Sequence, residues 1–234
     1  MLRLAHRGDH ARAPENTLAA FGAALARPEC DGLEFDVRAS ADGIAVVLHD
    51  ATLQRVQGRP EVAAELPAAE LRELGVPSLA DVLAACRPTA FLDVELKEDL
   101  GEVALEPLRG ARGREDGTLG CAVVSAFEPA TLATVRCLEP LWPCWFNVDD
   151  LEPATLEIAV ALGCRGVSIA WRAINARTAA TVARAGLDLA AYTFTSRRTL
   201  ARLARLGVVA ACVEGAALTG APGSPPGRSM GPHS

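Results

Sequence analysis

Aromatic residues are scarce, 4% of the chain with a single tyrosine, and no apolar run approaches the roughly 20 residues of a membrane-spanning helix before an Arg, Pro or Gly interrupts it. No membrane span is therefore expected. The cysteines Cys30, Cys86, Cys121, Cys137, Cys144, Cys164 and Cys212 form an odd set without a CxxC pair, which argues against a zinc framework or a disulfide scaffold. Most lie in apolar stretches and read as small buried residues of a reducing compartment. Cations do not cluster, and 23 Lys and Arg against 29 Asp and Glu leave a net charge of −6, so nucleic acid is not an expected partner. Phosphate-loop GxxxxGK, dinucleotide GxGxxG and hydrolase GxSxG patterns are all missing, and no cysteine sits in a nucleophile context. The start MLRLAHRGDH has no charged leader, apolar stretch and cleavage point in sequence, so a cytoplasmic location is expected.

What is present is alternation. Half of the 234 residues are apolar, enough for one large core, and short β-branched or apolar runs alternate with Ala-rich helical stretches. Strands are expected near 2–6, 32–37, 90–96, 121–125, 143–147, 166–170, 188–194 and 208–213. Helical spacing marks 16–27, 129–138, 153–163, 175–186 and 196–207, which mostly open on Asn, Ser or Pro, and several end in Gly. Eight strands in this length predict an α/β fold, a single (β/α)8 TIM-type barrel over 1–219. One run, GIAVVLHD at 43–50, follows EFDVRAS too closely for a parallel crossover. A β-hairpin over about 34–50, turning at Ala41-Asp42-Gly43, is expected after the second strand, placing His49 roughly opposite Asp36 at the catalytic face. Residues 220–234, rich in Gly, Pro and Ser, are expected to be a disordered tail.

Chemistry-bearing residues gather at the predicted strand ends. Glu34 and Asp36 are two apart on a strand and face the same way; Asp93, Glu95 and Lys97 do likewise on another. Carboxylates held this close repel unless a cation or proton lies between them, and an all-oxygen donor set suits Mg²⁺ or Ca²⁺. The plain structural alternative is a set of salt bridges at the barrel rim. His6 closes the first strand and His49 the hairpin, where two imidazoles are suitable proton carriers for breaking a phosphate ester. His10 lies in the first loop and His233 in the tail. The planar fork of Arg7 matches two phosphate oxygens, and Lys97 offers a compact second cation.

HRG at 6–8, PENTLAAF at 14–21, EFDV at 34–37, VVLHD at 46–50 with Leu53 and Arg55, VPSLADVL at 76–83 and VELK at 94–97 occur in that order. Together they resemble the glycerophosphodiester phosphodiesterase family. The resemblance implies a barrel hydrolase cleaving glycerophosphodiesters, small-molecule substrates, to glycerol 3-phosphate and an alcohol with one divalent cation, Mg²⁺ or Ca²⁺. Carried onto this chain, it implies that Glu34, Asp36 and Glu95 hold the metal, His6 and His49 are the catalytic acid–base pair, and Arg7 and Lys97 grip the phosphate. Glu15 in PENT is expected to fix Arg7 or His6 from behind. The chain departs from the family pattern at Tyr192, which stands where a Trp is common and is expected to stack on the substrate, and at Glu214, where Asp is usual. Two other readings are a lysophospholipase D-type activity, which needs an apolar entry rim where the barrel-mouth loops offer only scattered apolar residues such as Trp171, and a non-catalytic phosphodiester-binding scaffold.

Overall fold

The computed structural model describes residues 1–219, so the expectation for 220–234 concerns residues outside that range. Nine strands form one sheet: β1 (Leu2–His6), β2 (Gly32–Ala39), β3 (Ala45–Val47), β4 (Phe91–Leu96), β5 (Ala122–Ala126), β6 (Cys144–Val148), β7 (Gly166–Ala170), β8 (Asp188–Phe194) and β9 (Ala210–Val213). Eight of them run parallel, and β1 pairs with both β2 and β9, which closes the barrel. The architecture is the expected (β/α)8 barrel, with each expected strand present within two residues. Five helices also fall where the spacing placed them, at Leu18–Leu25, Pro129–Leu138, Pro153–Ala161, Ala176–Arg184 and Arg197–Arg205. After the last three, Gly163, Gly186 and Gly207 adopt φ of +63°, +72° and +83°, the left-handed turn that releases a chain from a helix at no steric cost.

Sequence patterning alone did not show the helix Glu102–Arg112, because Pro107 and Gly110 interrupt it. It forms because Ala104, Leu105 and Leu108 share a buried face, and that packing offsets the backbone hydrogen bond lost at proline. The helix Leu79–Ala85 has a clear start signal, with the Ser78 hydroxyl accepting from the Asp81 N–H and the Asp81 carboxylate accepting from the Ser78 N–H. Among the described residues, no helix is long and apolar enough to cross a membrane.

Most of the core lies between the barrel and its helices, formed by outward-facing strand residues such as Phe35, Val94 and Val124 with Phe21, Leu105 and Leu132. Inside the barrel a smaller apolar plug of Leu4, Val123, Trp145, Ala190 and Ala210 closes one end. Polar residues occupy the other. A third cluster, Val46, Leu48, Leu53, Ala63, Leu71 and Val76, backs the hairpin. Thus the 50–89 segment supports the hairpin from behind.

Strand pairing in the barrel leaves no room for a side chain at Gly32. A Cβ on Gly32, at the start of β2, would lie 1.9 Å from the Phe91 carbonyl oxygen of the adjacent strand, a backbone atom that cannot move aside. Gly32→Ala is expected to destabilise the fold by about 3–5 kcal/mol. Gly22, in the helix Leu18–Leu25, has nothing within 4 Å of its Cβ direction. Gly22→Ala should therefore stabilise by about 0.5–1 kcal/mol. Parallel urea titrations of the two variants check both, and equal midpoints would refute the steric argument.

Candidate active site

The hairpin sets the first arm of the site. Val37 pairs with Val47, Arg38 with Val46 and Ala39 with Ala45, and Gly43 turns at φ +74°. The pairing places Leu48 opposite Asp36, with its N–H donating to the Asp36 carbonyl at 2.9 Å. His49 follows one residue later. The difference arises because the strand ends at Val47 and the chain bends at His49, whose carbonyl accepts from Arg38 Nε at 2.8 Å. His49 Nδ1 lies 2.6 Å from Asp50 Oδ1, and Arg55 donates to Asp50 Oδ2 at 2.6 Å. The Arg55 hydrogen bond, reinforced by His49, holds the Asp50 carboxyl down at about 2.

The second arm is the end of β1. His6 pairs with Glu34 in register, and its Nε2 lies 3.8 Å from Glu34 Oε2. Its Nδ1 meets Glu214 Oε1, just past β9, at 2.6 Å. The HRG motif then makes an abrupt turn: Arg7 has φ +55° and Gly8 φ +86°. A Cβ on Gly8 would sit 2.7 Å from the Ala20 backbone carbon, so glycine is needed for both conformation and space. Asn16, also left-handed at φ +56°, donates its backbone N–H to the Arg7 carbonyl and its side-chain N–H to Asp36 Oδ2 at 2.9 Å.

Between the arms lie Glu34, Asp36 and Glu95, all buried, with one oxygen from each within 4.8 Å of the others. Arg7 Nε is 2.9 Å from Asp36 Oδ2 and Lys97 Nζ is 2.9 Å from Asp36 Oδ1, while Lys97 also contacts Glu95 Oε1. Burial pushes the Asp36 carboxyl up, but Lys97 and Arg7 outweigh it and hold that carboxyl below its ordinary value. Glu34 has no such partner. Burial, then the charges of Asp36, Glu95 and Asp93, push its carboxyl well up, and its Oε2 is buried without a hydrogen bond. Burial and Asp36 also raise Glu95. Deeper still, burial lifts Asp93 to about 7 although it accepts from Ser125 Oγ at 2.6 Å. The region carries more buried carboxylate than its two cations neutralise, and the free Glu34 oxygen supplies a donor for a hard divalent cation.

A cavity of about 220 Å³ opens over these groups. His6, Arg7, Glu34, His49, Glu95 and Lys97 all line it, with Tyr192 on the far wall. The Tyr192 hydroxyl is directed away, to the Val148 carbonyl at 2.9 Å and Asp149 Oδ1 at 3.0 Å, so its ring is what faces the cavity edge-on to Phe127. Glu15 accepts from Arg7 Nη1 at 3.0 Å and from Arg55 at 2.7 and 2.8 Å, and it makes no contact with His6. It therefore fixes Arg7, one of its two expected partners. Sequence reading assigned no role to Asp50, Arg55, Asn16, Phe127 or Asn147. Arg55 and Asp50 carried a signal, being part of the ordered motif; Phe127 and Asn147 stand alone in the sequence and carried none.

The family model described as the glycerophosphoryl diester phosphodiesterase family matches residues 6–216. The Bacillus subtilis protein YhdW is 26% identical over 225 residues, 89% of this chain and 92% of that protein. The glycerophosphodiester phosphodiesterase of Caldanaerobacter subterraneus is 40% identical over a shorter stretch of 73 residues, 31% of this chain and 30% of that one. A solved structure, an Oleispira antarctica phosphodiesterase in complex with its product sn-glycerol-3-phosphate, superposes with a TM-score of 0.80 at 25% identity, covering 91% of this chain and 92% of that one.

Proposed function

This chain belongs to the glycerophosphoryl diester phosphodiesterase family and is a hydrolase of glycerophosphodiesters, and from that premise we propose that it releases glycerol 3-phosphate and an alcohol through acid–base catalysis by His6 and His49 beside a bound Mg²⁺ or Ca²⁺. The observation that carries the reading is the pair of imidazoles, each tied to a carboxylate through Nδ1, on either side of a buried carboxylate cluster with an unpaired oxygen. Glu34, Asp36 and Glu95 would hold the cation, which when bound supplies charge neutralisation and Lewis acidity for the phosphoryl oxygens.

Each histidine donates Nδ1–H to its carboxylate, which leaves Nε2 as the working nitrogen. One imidazole accepts the proton of the neighbouring glycerol hydroxyl as its oxygen bonds to phosphorus; the other protonates the alcohol oxygen as the P–O bond to it breaks. A cyclic phosphate results. In the second half the roles reverse, and water opens the ring to glycerol 3-phosphate. Arg7 and Lys97 stay charged because Asp36 with Glu34, and Asp36 with Glu95, outweigh the effect of burial. They face the cavity and grip the phosphate. The Tyr192 ring, with Phe127, offers an apolar wall to the glycerol carbons.

Trp171 does not supply an acyl-chain rim, since Arg172 lies over its ring at 4.6 Å and Arg202 at 5.9 Å. Small glycerophosphodiesters are therefore the proposed substrates, ahead of lysophospholipids. All seven cysteines are free, which supports a reducing compartment, the cytoplasm. Purified protein supplied with Mg²⁺ or Ca²⁺ should release glycerol 3-phosphate from glycerophosphocholine, and a chelator should abolish release. No release from any glycerophosphodiester with either metal would overturn the proposal.

A further inference from the structure

His6 stands between two donor groups of different chemistry. Its Nε2 faces Glu34 and the all-carboxylate cluster, whereas its Nδ1 faces Glu214 Oε1 at 2.6 Å, and His10 Nε2 approaches that same oxygen at 3.5 Å. One ligand atom from each of His6, His10 and Glu214 lies within 4.8 Å of the others. We propose that these three residues form a second cation site, selective for Zn²⁺ over Mg²⁺ and Ca²⁺, whose occupation inhibits the enzyme.

The selectivity follows from the donors. Two imidazoles and one carboxylate are a borderline set that favours Zn²⁺, while Mg²⁺ and Ca²⁺ prefer oxygen and find it in Glu34, Asp36 and Glu95. The spacing also fits. With metal–ligand bonds of about 2.0–2.1 Å, tetrahedral ligands sit about 3.3 Å apart. A small rotation of Glu214 changes 2.6 and 3.5 Å toward that value. His6 and Glu214 are held rigidly, on β1 and just beyond β9, the two strands that pair at Ala5 and Val213. The His10 loop is anchored on both sides of the histidine: the Asp9 N–H donates to the Ala20 carbonyl, the Arg12 N–H donates to the Asp9 carbonyl, and Arg27 clamps the Asp9 carboxylate at 2.5 Å. His10 is about one-third exposed at its side chain, so a cation reaches the site without crossing the substrate cavity.

Binding puts the metal on Nδ1 and Glu214 in place of the proton between them, and the neutral ring then carries that one proton on Nε2 instead, with no net release. Nε2 no longer has a lone pair with which to accept another. This inhibition, unlike the binding itself, rests on the acid–base role proposed above for His6.

Co²⁺, a spectroscopic substitute for Zn²⁺, separates the site from the exposed thiols of Cys121 and Cys137, because thiolate ligation adds an intense near-ultraviolet charge-transfer band. Titrating the full chain with Co²⁺ in saturating Mg²⁺ should give visible ligand-field absorption without that band, and His10→Ala should weaken the binding about tenfold or more. In the turnover assay, Zn²⁺ should inhibit the wild type, and His10→Ala should keep basal activity while raising the inhibitory concentration by a similar factor. Co²⁺ affinity unchanged in His10→Ala overturns the site, and equal Zn²⁺ sensitivity of the two proteins overturns the inhibition. His10-dependent binding in a protein that cleaves no glycerophosphodiester would overturn the activity proposed above and leave the site standing.

Discussion

Replacing His49 with alanine is expected to lower kcat/KM for a glycerophosphodiester by about 10²–10⁴-fold while leaving the unfolding temperature unchanged. The side chain is about one-third exposed and takes no part in the apolar clusters, so its removal opens no core cavity. Its chemistry is a different matter. Burial lowers the His49 pKa, and Asp36 and Asp50 only partly offset that, so its protonation midpoint lies below 6.5. At neutral pH the ring is therefore mostly uncharged. If His49 is the base, kcat/KM falls on the acidic side of that midpoint; if it is the acid, the same midpoint appears as an alkaline limb. Asp50→Asn removes a carboxylate that favours the imidazolium, which should move whichever limb belongs to His49 to lower pH. A pH–rate profile of the two proteins reads both effects. Wild-type turnover in His49→Ala would remove this histidine from the mechanism.

The readable part of this protein was its periodicity. Strands buried on one face by helices and on the other by the barrel interior, as β5 is at Val124 and Val123, give apolar runs that stand out from Ala-rich helical spacing. Glu34 with Asp36, and Asp93 with Glu95 and Lys97, were legible because alternation on a strand fixes which residues share a face. Spacing did not reveal the links between strands. Glu214 reaches His6 across 208 residues, and Arg55 reaches Glu15 across 40, and such contacts are set by barrel closure and hairpin packing. Arg55 illustrates the consequence. Its guanidinium joins Asp50, behind His49, to Glu15, behind Arg7, so one side chain braces the proposed proton carrier and the proposed phosphate-binding cation together. The helix containing Pro107 went unread for the converse reason: a strong local breaker was overridden by the burial of Leu105 and Leu108.

Glu34→Gln is expected to abolish most activity and yet stabilise the metal-free protein. Asp36 has Arg7 and Lys97, Glu95 has Lys97, and Asp93 has the Ser125 hydroxyl, whereas Glu34 has no close Lys or Arg and its buried Oε2 accepts no hydrogen bond. Its raised pKa expresses a cost in the folded state. Sign follows directly: above 4.5 the unfolded chain ionises this group first, so each increment of pH up to the folded value favours unfolding. Glutamine removes that penalty with little change in shape. We expect the metal-free variant to gain about 1–2 kcal/mol, a rise of about 2–8 °C in unfolding temperature for a chain of this size. The gain should shrink as pH is lowered toward 4.5 and vanish below it, where the wild-type carboxyl is neutral in both states. Adding Mg²⁺ or Ca²⁺ should reverse the order, because a cation bound only by the folded state stabilises the wild type by mass action and the variant has lost a charged ligand. Turnover should fall by about 10²–10⁴-fold, the scale of several kcal/mol of lost charge stabilisation. Calorimetry with and without metal, beside the turnover assay, measures all of this. A metal-free variant less stable than the wild type would mean that the Glu34 carboxylate is held by something other than a cation it lacks.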